Sequence, residues 1–268
     1  MVIDDYPLYF DATNETGLSI AGLNFPDNAI YHPARSDKNN ITPFELTPYL
    51  LGSCNDLHEA KRVLSQINLT NISYSTSLPL TPLHWLLADK TGAIVVEPTK
   101  NGLEIYENPI GVLTNNPPFP YHLYNLSNYL NITAKEPTNH FAPNCSIKPY
   151  SYGMGGIGLP GDLSSGSRFI RAAFTKLNSV CGKSEEESIN QFFHILGSVA
   201  QQRGCAKVGN DHEITLYSSC CNMQKCIYYY NTYENTQITA VKMTPNTLTA
   251  KSLTTYSIRK KSAIQYEN

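Results

Sequence analysis

The chain has 268 residues, a formal net charge of −2 and 16% charged residues. A chain of this length buries a large core, and layered folds of this size are often undivided, so we expect residues 1–268 to form one domain. The near-zero charge and the absence of a basic run exclude nucleic acid and anionic membrane surfaces as expected partners. No apolar run reaches the length of a membrane span.

The seven cysteines form no repeating framework. An odd number of unpatterned cysteines, behind an opening MVIDDYPLYF that has no basic or apolar signal region, predicts reduced thiols and a cytoplasmic location. No histidine pair has zinc-ligand spacing and no C-x-x-C occurs, so we expect no metal and no cofactor.

The segment LYFDATNETGLSIAGLNFP near the N-terminus predicts two strands joined by a polar turn. Leu8–Phe10 are strand formers, Asp11–Gly17 supply the turn, and Leu18–Leu23 resume the strand. Because Pro26 stops the ladder, Asn24 lies at a strand end with its side-chain amide and backbone N–H free. Two fixed donors suit a developing oxyanion, although an asparagine that bonds its own turn is the commoner outcome.

Two helices and a loop follow. The apolar segment ITPFELTPYLLGSC predicts a short helix, and the Asp56–Glu59 capping box opens an amphipathic helix over 56–67. Residues 68–82 contain prolines and predict an irregular loop, whose apolar side chains either tuck beneath it or line a substrate pocket.

Antiparallel strands are predicted from 83 to 114. LHWLLAD turns into AIVVEPT, and Asn101–Gly102 is a hairpin signal leading to LEIYE. His84 alternates with apolar residues, which favours a satisfied buried histidine over a general base. The last strand, GVLT, ends at Asn115 with Pro117 behind it, so a second asparagine follows a strand that a proline interrupts.

Residues 132–166 predict a long ordered loop. Within it Gly153, Gly155 and Gly158 satisfy G-x-G-x-x-G, but the dinucleotide fingerprint requires a strand before the glycines and a helix beginning within them. Leu-Pro-Gly-Asp follows instead, so we do not expect a nucleotide site.

A helix begins near Ser164 or Ser165 and carries Arg168 in its first turn, where a cation opposes the helix dipole. From the residues alone, Arg168 is a surface side chain or a partner of Asp162. The capping box Ser184–Glu187 opens a second helix, predicted over 185–202 with an apolar face toward the core and a C-cap at Gly204.

The C-terminal segments ITLYSSC, CIYYYNTY and QITAVKM predict a strand meander. Strands, two principal helices and more strands make an antiparallel α+β arrangement.

Several long blocks resemble, in order, the choloylglycine hydrolase family, the N-terminal-nucleophile amidases that include bile salt hydrolases and penicillin V acylases. The blocks are FDATNETGLSIAGLNFP, PLHWLLAD, IGVLTNNP, GLPGDLSSGSRFIRAAF and YYYNTYENTQI. The resemblance implies an αββα four-layer sandwich with antiparallel sheets, lacking the first strands. It also implies hydrolysis of a linear amide by an N-terminal cysteine whose own α-amine is the base.

Carried over residue by residue, the resemblance gives Asn24, Asn115 and Arg168 as catalytic residues. An asparagine at position 24 is typical of the bile-salt branch, whereas the penicillin V branch typically has tyrosine there. The implied partner is therefore a small molecule, a conjugated bile salt.

The family's steroid-contacting loop corresponds to residues 68–82. By this analogy Phe10, Tyr74, Leu78 and Leu83 contact substrate. The family also forms homo-oligomers, tetramers in its full-length members, and we expect the same of a full-length form of this protein.

The Asn24 motif lies several dozen residues into full-length members, but here it begins almost at Met1. We expect this chain to be N-terminally truncated, to lack the nucleophilic cysteine with its arginine and aspartate, and to be inactive alone. The alternatives are a non-catalytic bile-salt-binding subunit and a penicillin V acylase-type fragment. Uncovered strand edges would also make the chain poorly soluble or molten.

Overall fold

A computed structural model describes all 268 residues, with antiparallel sheets and helices as the α+β prediction requires. The strands are β1 (Val2–Ile3), β2 (Tyr6–Pro7), β3 (Asp11–Thr13), β4 (Ser19–Asn24), β5 (Asn39–Ile41), β6 (Ile67–Leu69), β7 (Leu83–Asp89), β8 (Gly92–Thr99), β9 (Gly102–Glu107), β10 (Lys207–Val208), β11 (Asp211–His212), β12 (Tyr217–Asn222), β13 (Ile227–Thr232) and β14 (Thr239–Lys242). The helices are α1 (Leu46–Ser53), α2 (Leu57–Leu64), α3 (Phe119–Asn125), α4 (Ser165–Asn178), α5 (Glu185–Gly197) and α6 (Pro245–Leu248). None of them combines the length and apolar character that a membrane crossing requires.

The central sheet has the spatial order β3-β4-β7-β8-β9 and is antiparallel throughout. Its β4–β7 register runs from Ser19 opposite Ala88 to Asn24 opposite Leu83. A second antiparallel sheet has the order β12-β13-β14, and the remaining strands form two-stranded pairs. Asn24 is thus the last paired residue of β4, as Pro26 predicts.

Alternating side chains of the central sheet fill apolar clusters on its two faces. Ile94 and Val96 belong to a cluster shared with α1 and α2, whereas Val95 packs with Phe119 and Phe169 of α3 and α4. Both faces of β8 are therefore buried, which fixes its register strongly because a slip of one residue would exchange the two faces.

The first predicted strand is displaced toward the C-terminus. Leu8–Phe10 lie outside any strand, and Asp11, expected in the turn, begins β3. Its carboxylate accepts hydrogen bonds from the hydroxyls of Tyr217, Ser219 and Tyr228 in the second sheet, at 2.6, 3.1 and 2.9 Å. A tertiary contact with partners more than 200 residues away decides this position, and local turn propensity cannot register it.

The predicted strand GVLT is also wrong. Residues 111–114 pair with no strand, and Gly111 begins the segment in a turn with φ of +63°. Side chains bind their backbone groups instead. Asn108 donates to the Val112 carbonyl at 2.9 Å, and His84 lies 2.7 Å from the Thr114 carbonyl.

Two helix predictions are partly wrong. Helix α2 ends at Leu64 because Ile67, expected within it, pairs with Asn39 in the parallel β5–β6 contact. Helix α5 begins at the predicted Ser184–Glu187 capping box but ends at Gly197, well before Gly204.

The apolar face of α5 is not core-facing as expected. No residue of this helix is buried, and Phe192 is 42% exposed. The helix packs mainly against α4 and β12, and these contacts leave all of its residues partly or fully exposed.

The glycine motif in the 132–166 loop has a packing role. A Cβ on Gly155 would lie 2.1 Å from the Lys135 carbonyl oxygen, and Gly153 and Gly158 have φ of +81° and +102°. The glycines therefore allow close backbone approach and left-handed turns. Helix α4 starts only at Ser165, capped by Ser164.

Candidate active site

The side chain of Asn115 joins Asn24 to Arg168. Its Nδ2 donates to the Asn24 carbonyl at 2.7 Å, and its Oδ1 accepts from Arg168 Nη2 at 2.7 Å. The two contacts fix the orientation of the amide, since a carbonyl must face a donor and a guanidinium must face an acceptor. The structure therefore brings together the three residues for which the sequence predicts a catalytic role.

Asn24 keeps its own side chain available. It lies at the open end of β4, is exposed, and none of its side-chain atoms forms a hydrogen bond in the protein. The alternative of an asparagine bonding its own turn is therefore not what the structure shows. The backbone of Asn24 is held by β4, and its side-chain amide is free to donate a hydrogen bond to a ligand.

Arg168 is a half-buried cation without a carboxylate partner. Its Nε donates to the Leu163 carbonyl at 3.1 Å, and it forms no ion pair. Burial, and secondarily the neighbouring Arg171, lower the pKa of its guanidinium. Asp162, the alternative partner, accepts instead from Ser164 and Ser167. An unpaired cation of this kind favours an anion or a developing negative charge beside it.

The backbone around Asn115 is held by side chains from other elements. Ser165 Oγ accepts the Asn115 N–H at 2.8 Å, His122 Nε2 lies 3.0 Å from the Asn115 carbonyl, and His84 holds the preceding carbonyl. Burial lowers the pKa of the His122 imidazole. Because a carbonyl oxygen only accepts, Nε2 is the donor in this contact. The sequence analysis missed Ser165 and His122, because a serine at a helix start and a lone histidine carry no local signal for this contact.

A cavity of about 570 Å³ lies against this group. Its wall includes Asn24 and Arg168, together with Phe10 and apolar residues such as Leu196 and Leu216. None of the seven cysteines lines it, and the chain brings no group of three or more His, Cys, Asp or Glu side chains together that could hold a metal ion.

A second, apolar cavity of about 270 Å³ adjoins the first and shares Phe10 and Gly22 with it. All four residues predicted to contact substrate line this cavity, namely Phe10, Tyr74, Leu78 and Leu83. Tyr74 is fixed there by a hydrogen bond from its hydroxyl to the Ile3 carbonyl at 2.9 Å and by edge contact with Phe44. The two cavities therefore have part of their walls in common, next to Asn24.

A close-packed glycine separates the two cavities. A Cβ on Gly22 would lie 3.2 Å from Trp85 Nε1 and 3.5 Å from Leu83 Cδ1. A larger residue at Gly22 would therefore press on Trp85 and Leu83.

Solved structures share this fold. The structure superimposes on a variant of the conjugated bile acid hydrolase from Clostridium perfringens with a TM-score of 0.92 and 39% identity, over 100% of this chain and 83% of that one. Penicillin V acylase from Agrobacterium tumefaciens matches with a TM-score of 0.68 and 20% identity, over 89% of this chain and 67% of that one. The architecture is therefore that of the N-terminal-nucleophile hydrolases, the αββα sandwich that the sequence predicts.

The sequence comparisons give the family. Residues 1–256 match the family model for linear amide C–N hydrolases of the choloylglycine hydrolase family. The bile salt hydrolase/transferase of Lactiplantibacillus plantarum is 54% identical over 258 residues, which cover 96% of this chain and 80% of that protein. The chain belongs to the choloylglycine hydrolase family, whose members are linear amide C–N hydrolases.

Proposed function

We propose that this protein hydrolyses the amide bond of conjugated bile salts, releasing the free bile acid and glycine or taurine. One observation carries the proposal: Asn24 and Arg168, which Asn115 links, line a cavity that shares Phe10 and Gly22 with the apolar cavity. The names of the relatives, bile salt hydrolases and conjugated bile acid hydrolases, support the same substrate class.

The three polar residues suit the stabilisation of a tetrahedral intermediate. The free side-chain amide of Asn24 and the second Nδ2 hydrogen of Asn115 are neutral donors, and Arg168 supplies a positive charge that forms no ion pair. Preorganised donors of this kind lower the barrier because they need not reorient as the oxyanion forms.

The apolar cavity suits the steroid body. Leu78, Leu83 and Tyr74 present apolar surface on its wall, and Phe10, which is 63% exposed, stands where the two cavities meet. A steroid held there would direct its side chain, and the amide at the end of it, toward Asn24.

Binding without hydrolysis is the second candidate, and one observation favours it. The family reaction uses a cysteine thiolate, yet no cysteine of this chain lines the cavity beside Asn24 and Arg168. Binding and hydrolysis are therefore measured separately.

Binding is tested by calorimetric titration of the 268-residue chain with taurocholate. We expect Leu78→Asp, which puts a charge into the apolar cavity, to weaken binding at least tenfold. Ile72→Asp is the matched control, because Ile72 lies in the same loop, is 55% exposed and does not line the cavity. No binding by the folded chain would overturn the binding candidate.

Hydrolysis is tested with this chain joined behind the N-terminal segment of the Lactiplantibacillus plantarum relative. We expect release of taurine, and Asn115→Ala should lower kcat by about 10²–10³, the usual effect of losing one oxyanion donor. Faster turnover of penicillin V than of taurocholate would instead place the protein with the penicillin V acylases. Binding by the chain with no turnover by the fusion would leave the binding function alone.

We also propose a homo-oligomeric state and a reducing, cytoplasmic compartment. The unpaired state of all seven cysteines supports the compartment, and the apolar side chains exposed in the 132–163 loop, Phe141 and Tyr152 among them, support self-association. Sedimentation of the purified protein tests the oligomeric state.

A further inference from the structure

Three fully buried polar side chains lie beneath the Thr114–Asn115 segment and are not used by the proposed chemistry. They are His84 of β7, Glu97 of β8 and His122 of α3, each with 0% exposure. His84 Nδ1 and Glu97 Oε1 are 3.1 Å apart, in the one ion pair of the protein that is buried on both sides.

The hydrogen bonds of His84 fix its protons. Its Nε2 lies 2.7 Å from the Thr114 carbonyl, which only accepts, so this nitrogen carries a hydrogen. Its Nδ1 lies within hydrogen-bond distance of Glu97 Oε1, so the two side chains share one hydrogen bond. Phe25, the residue after Asn24, stacks on the imidazole at 4.2 Å with an interplanar angle of 6°.

Glu97 also acts through a second route. Its Oε1 accepts the N–H of Phe119, the first residue of α3, at 2.9 Å, and Pro118 before it provides no side-chain cap. The carboxylate therefore caps this helix, where a negative charge is favourable. His122 on the same helix holds the Asn115 carbonyl at 3.0 Å. One carboxylate thus fixes two successive carbonyls, each through a different histidine.

Further buried polar atoms lie beside Asn115. The buried side-chain polar atoms that lack a hydrogen-bond partner are Glu97 Oε2, His122 Nδ1 and Asn116 Oδ1. All three belong to this cluster or to the residue after Asn115. Buried polar groups are usually hydrogen-bonded, and the exceptions in this protein are concentrated beside Asn115.

We propose that Glu97, with His84 and His122, is a positioning network for Asn115. Because residues 111–114 have no strand partner, the two histidine contacts take the place of a ladder and hold the backbone so that the Asn115 amide meets both Asn24 and Arg168. This inference rests on the proposed function only in giving Asn115 a role; the positioning is measured without turnover.

The test is the side-chain amide signal of Asn115 in ¹⁵N-resolved NMR spectra of the full chain, assigned by its loss in Asn115→Asp. We expect Glu97→Gln, which keeps the shape but replaces the carboxyl group by an amide, to shift or broaden this signal. His122→Asn, which leaves the Glu97–His84 pair intact, should also move it. Signals of Leu18 and Leu50 in the larger core should stay in place in both variants and report a retained fold.

Asn68→Asp is the matched control. It exchanges amide for carboxylate at another buried site, where Asn68 bonds the Pro33 carbonyl and Asn40. We expect it to lower stability without moving the Asn115 signal. An Asn115 signal that is unchanged in His122→Asn and in folded Glu97→Gln, or that moves equally in Asn68→Asp, would overturn the proposal.

A kinetic arm separates this inference from the proposed function. In the fusion used to test hydrolysis, Glu97→Gln should lower kcat at least tenfold and leave the KM for taurocholate within twofold, because the apolar cavity is untouched. A fusion without any turnover would count against the proposed function, while the NMR result would still decide the positioning network.

Discussion

The two sheets of this protein are held together in different ways. Residues 11–173 place the central sheet between two apolar clusters, whereas beyond Ala173 only Tyr230, Thr232 and Asn235 are buried. The second sheet and α5 depend instead on polar contacts, above all those that Asp11 and Glu185 accept.

This difference affects the candidate active site because the site lies where the two sheets meet. The cavity beside Asn24 and Arg168 is walled by β3 and β4 on one side and by residues 214–219 on the other. Apolar burial is strong but non-directional. It stabilises residues 11–173, the rigid half of the molecule, which carries Asn24, Asn115 and Arg168. Hydrogen bonds are directional, so the contacts of Asp11 fix the position of the second sheet relative to the central sheet.

The largest effect is expected from paired truncations on neighbouring helices. Phe169→Ala in α4 removes a fully buried ring and should lower the free energy of unfolding by about 3–5 kcal/mol. Phe192→Ala in α5, where the ring is 42% exposed, should cost under about 1 kcal/mol. Urea unfolding of both variants measures this difference, and equal losses would show that α5 is as closely packed as α4.

Next in size is the contact between the sheets. Asp11→Asn removes a charged acceptor of three hydroxyls and should cost about 1.5–3 kcal/mol. Amide hydrogen exchange should accelerate in β12 and β13, while the fluorescence of Trp85, the single tryptophan, stays unchanged. Asp37→Asn, at an exposed carboxylate paired with Arg35, is the control and should change neither observable.

A smaller effect is expected from acid. Donation from Lys225, and then from Tyr229, lowers the pKa of Glu185 from 4.5 to about 2. A lowered carboxyl pKa stabilises the folded state above pH 4.5, and this contribution is lost as the pH falls through about 2. Exchange of α5 amides should therefore accelerate over that window before the Trp85 signal changes. Glu185→Gln should remove this pH dependence, and its persistence in that variant would refute the assignment.

The smallest effect concerns a surface pair on the rigid half. Lys61 and Glu107 form an ion pair whose side chains are 37% and 74% exposed. Glu107→Gln should change the free energy of unfolding by no more than about 0.5 kcal/mol, because solvent screens such pairs. A loss above 1 kcal/mol in 150 mM salt would contradict this.

The same comparison of the two sheets tests the prediction that this chain is molten. A single sharp melt, in which Trp85 fluorescence and the exchange of the second sheet change together, would contradict it. If the two observables change in separate transitions and the second sheet changes first, the loosely packed surface lies on α5 and its neighbours.

Local sequence patterns predicted most helices and strands correctly where the hydrophobic pattern and the capping or turn residues indicate the same element. The hairpin at Asn101–Gly102 is present with Gly102 at φ +108°, and the Ser184 and Asp56 caps form as expected. Prediction failed where a distant group overrides propensity. Asp11 joined a strand because its partners lie in the second sheet, and GVLT stayed unpaired because Asn108 and His84 satisfy its carbonyls.

The candidate site divides in the same way. The sequence, through its resemblance to a family, indicated Asn24, Asn115 and Arg168 and the four apolar residues, and the structure brings each set together. Ser165, Glu97 and His122 were not found, because their role is a contact with one backbone segment that no spacing records.

The sequence alone determined the family, the antiparallel α+β class and the residue types at the site, because periodicity, caps and long ordered motifs are local properties. Only the tertiary structure decided that Asn115 links the Asn24 carbonyl to Arg168. It also decided that two buried histidines bind the Thr114 and Asn115 carbonyls. The physical reason is that hydrogen bonds between distant elements depend on distances of about 3 Å, and those distances exist only once the sheets and helices have packed.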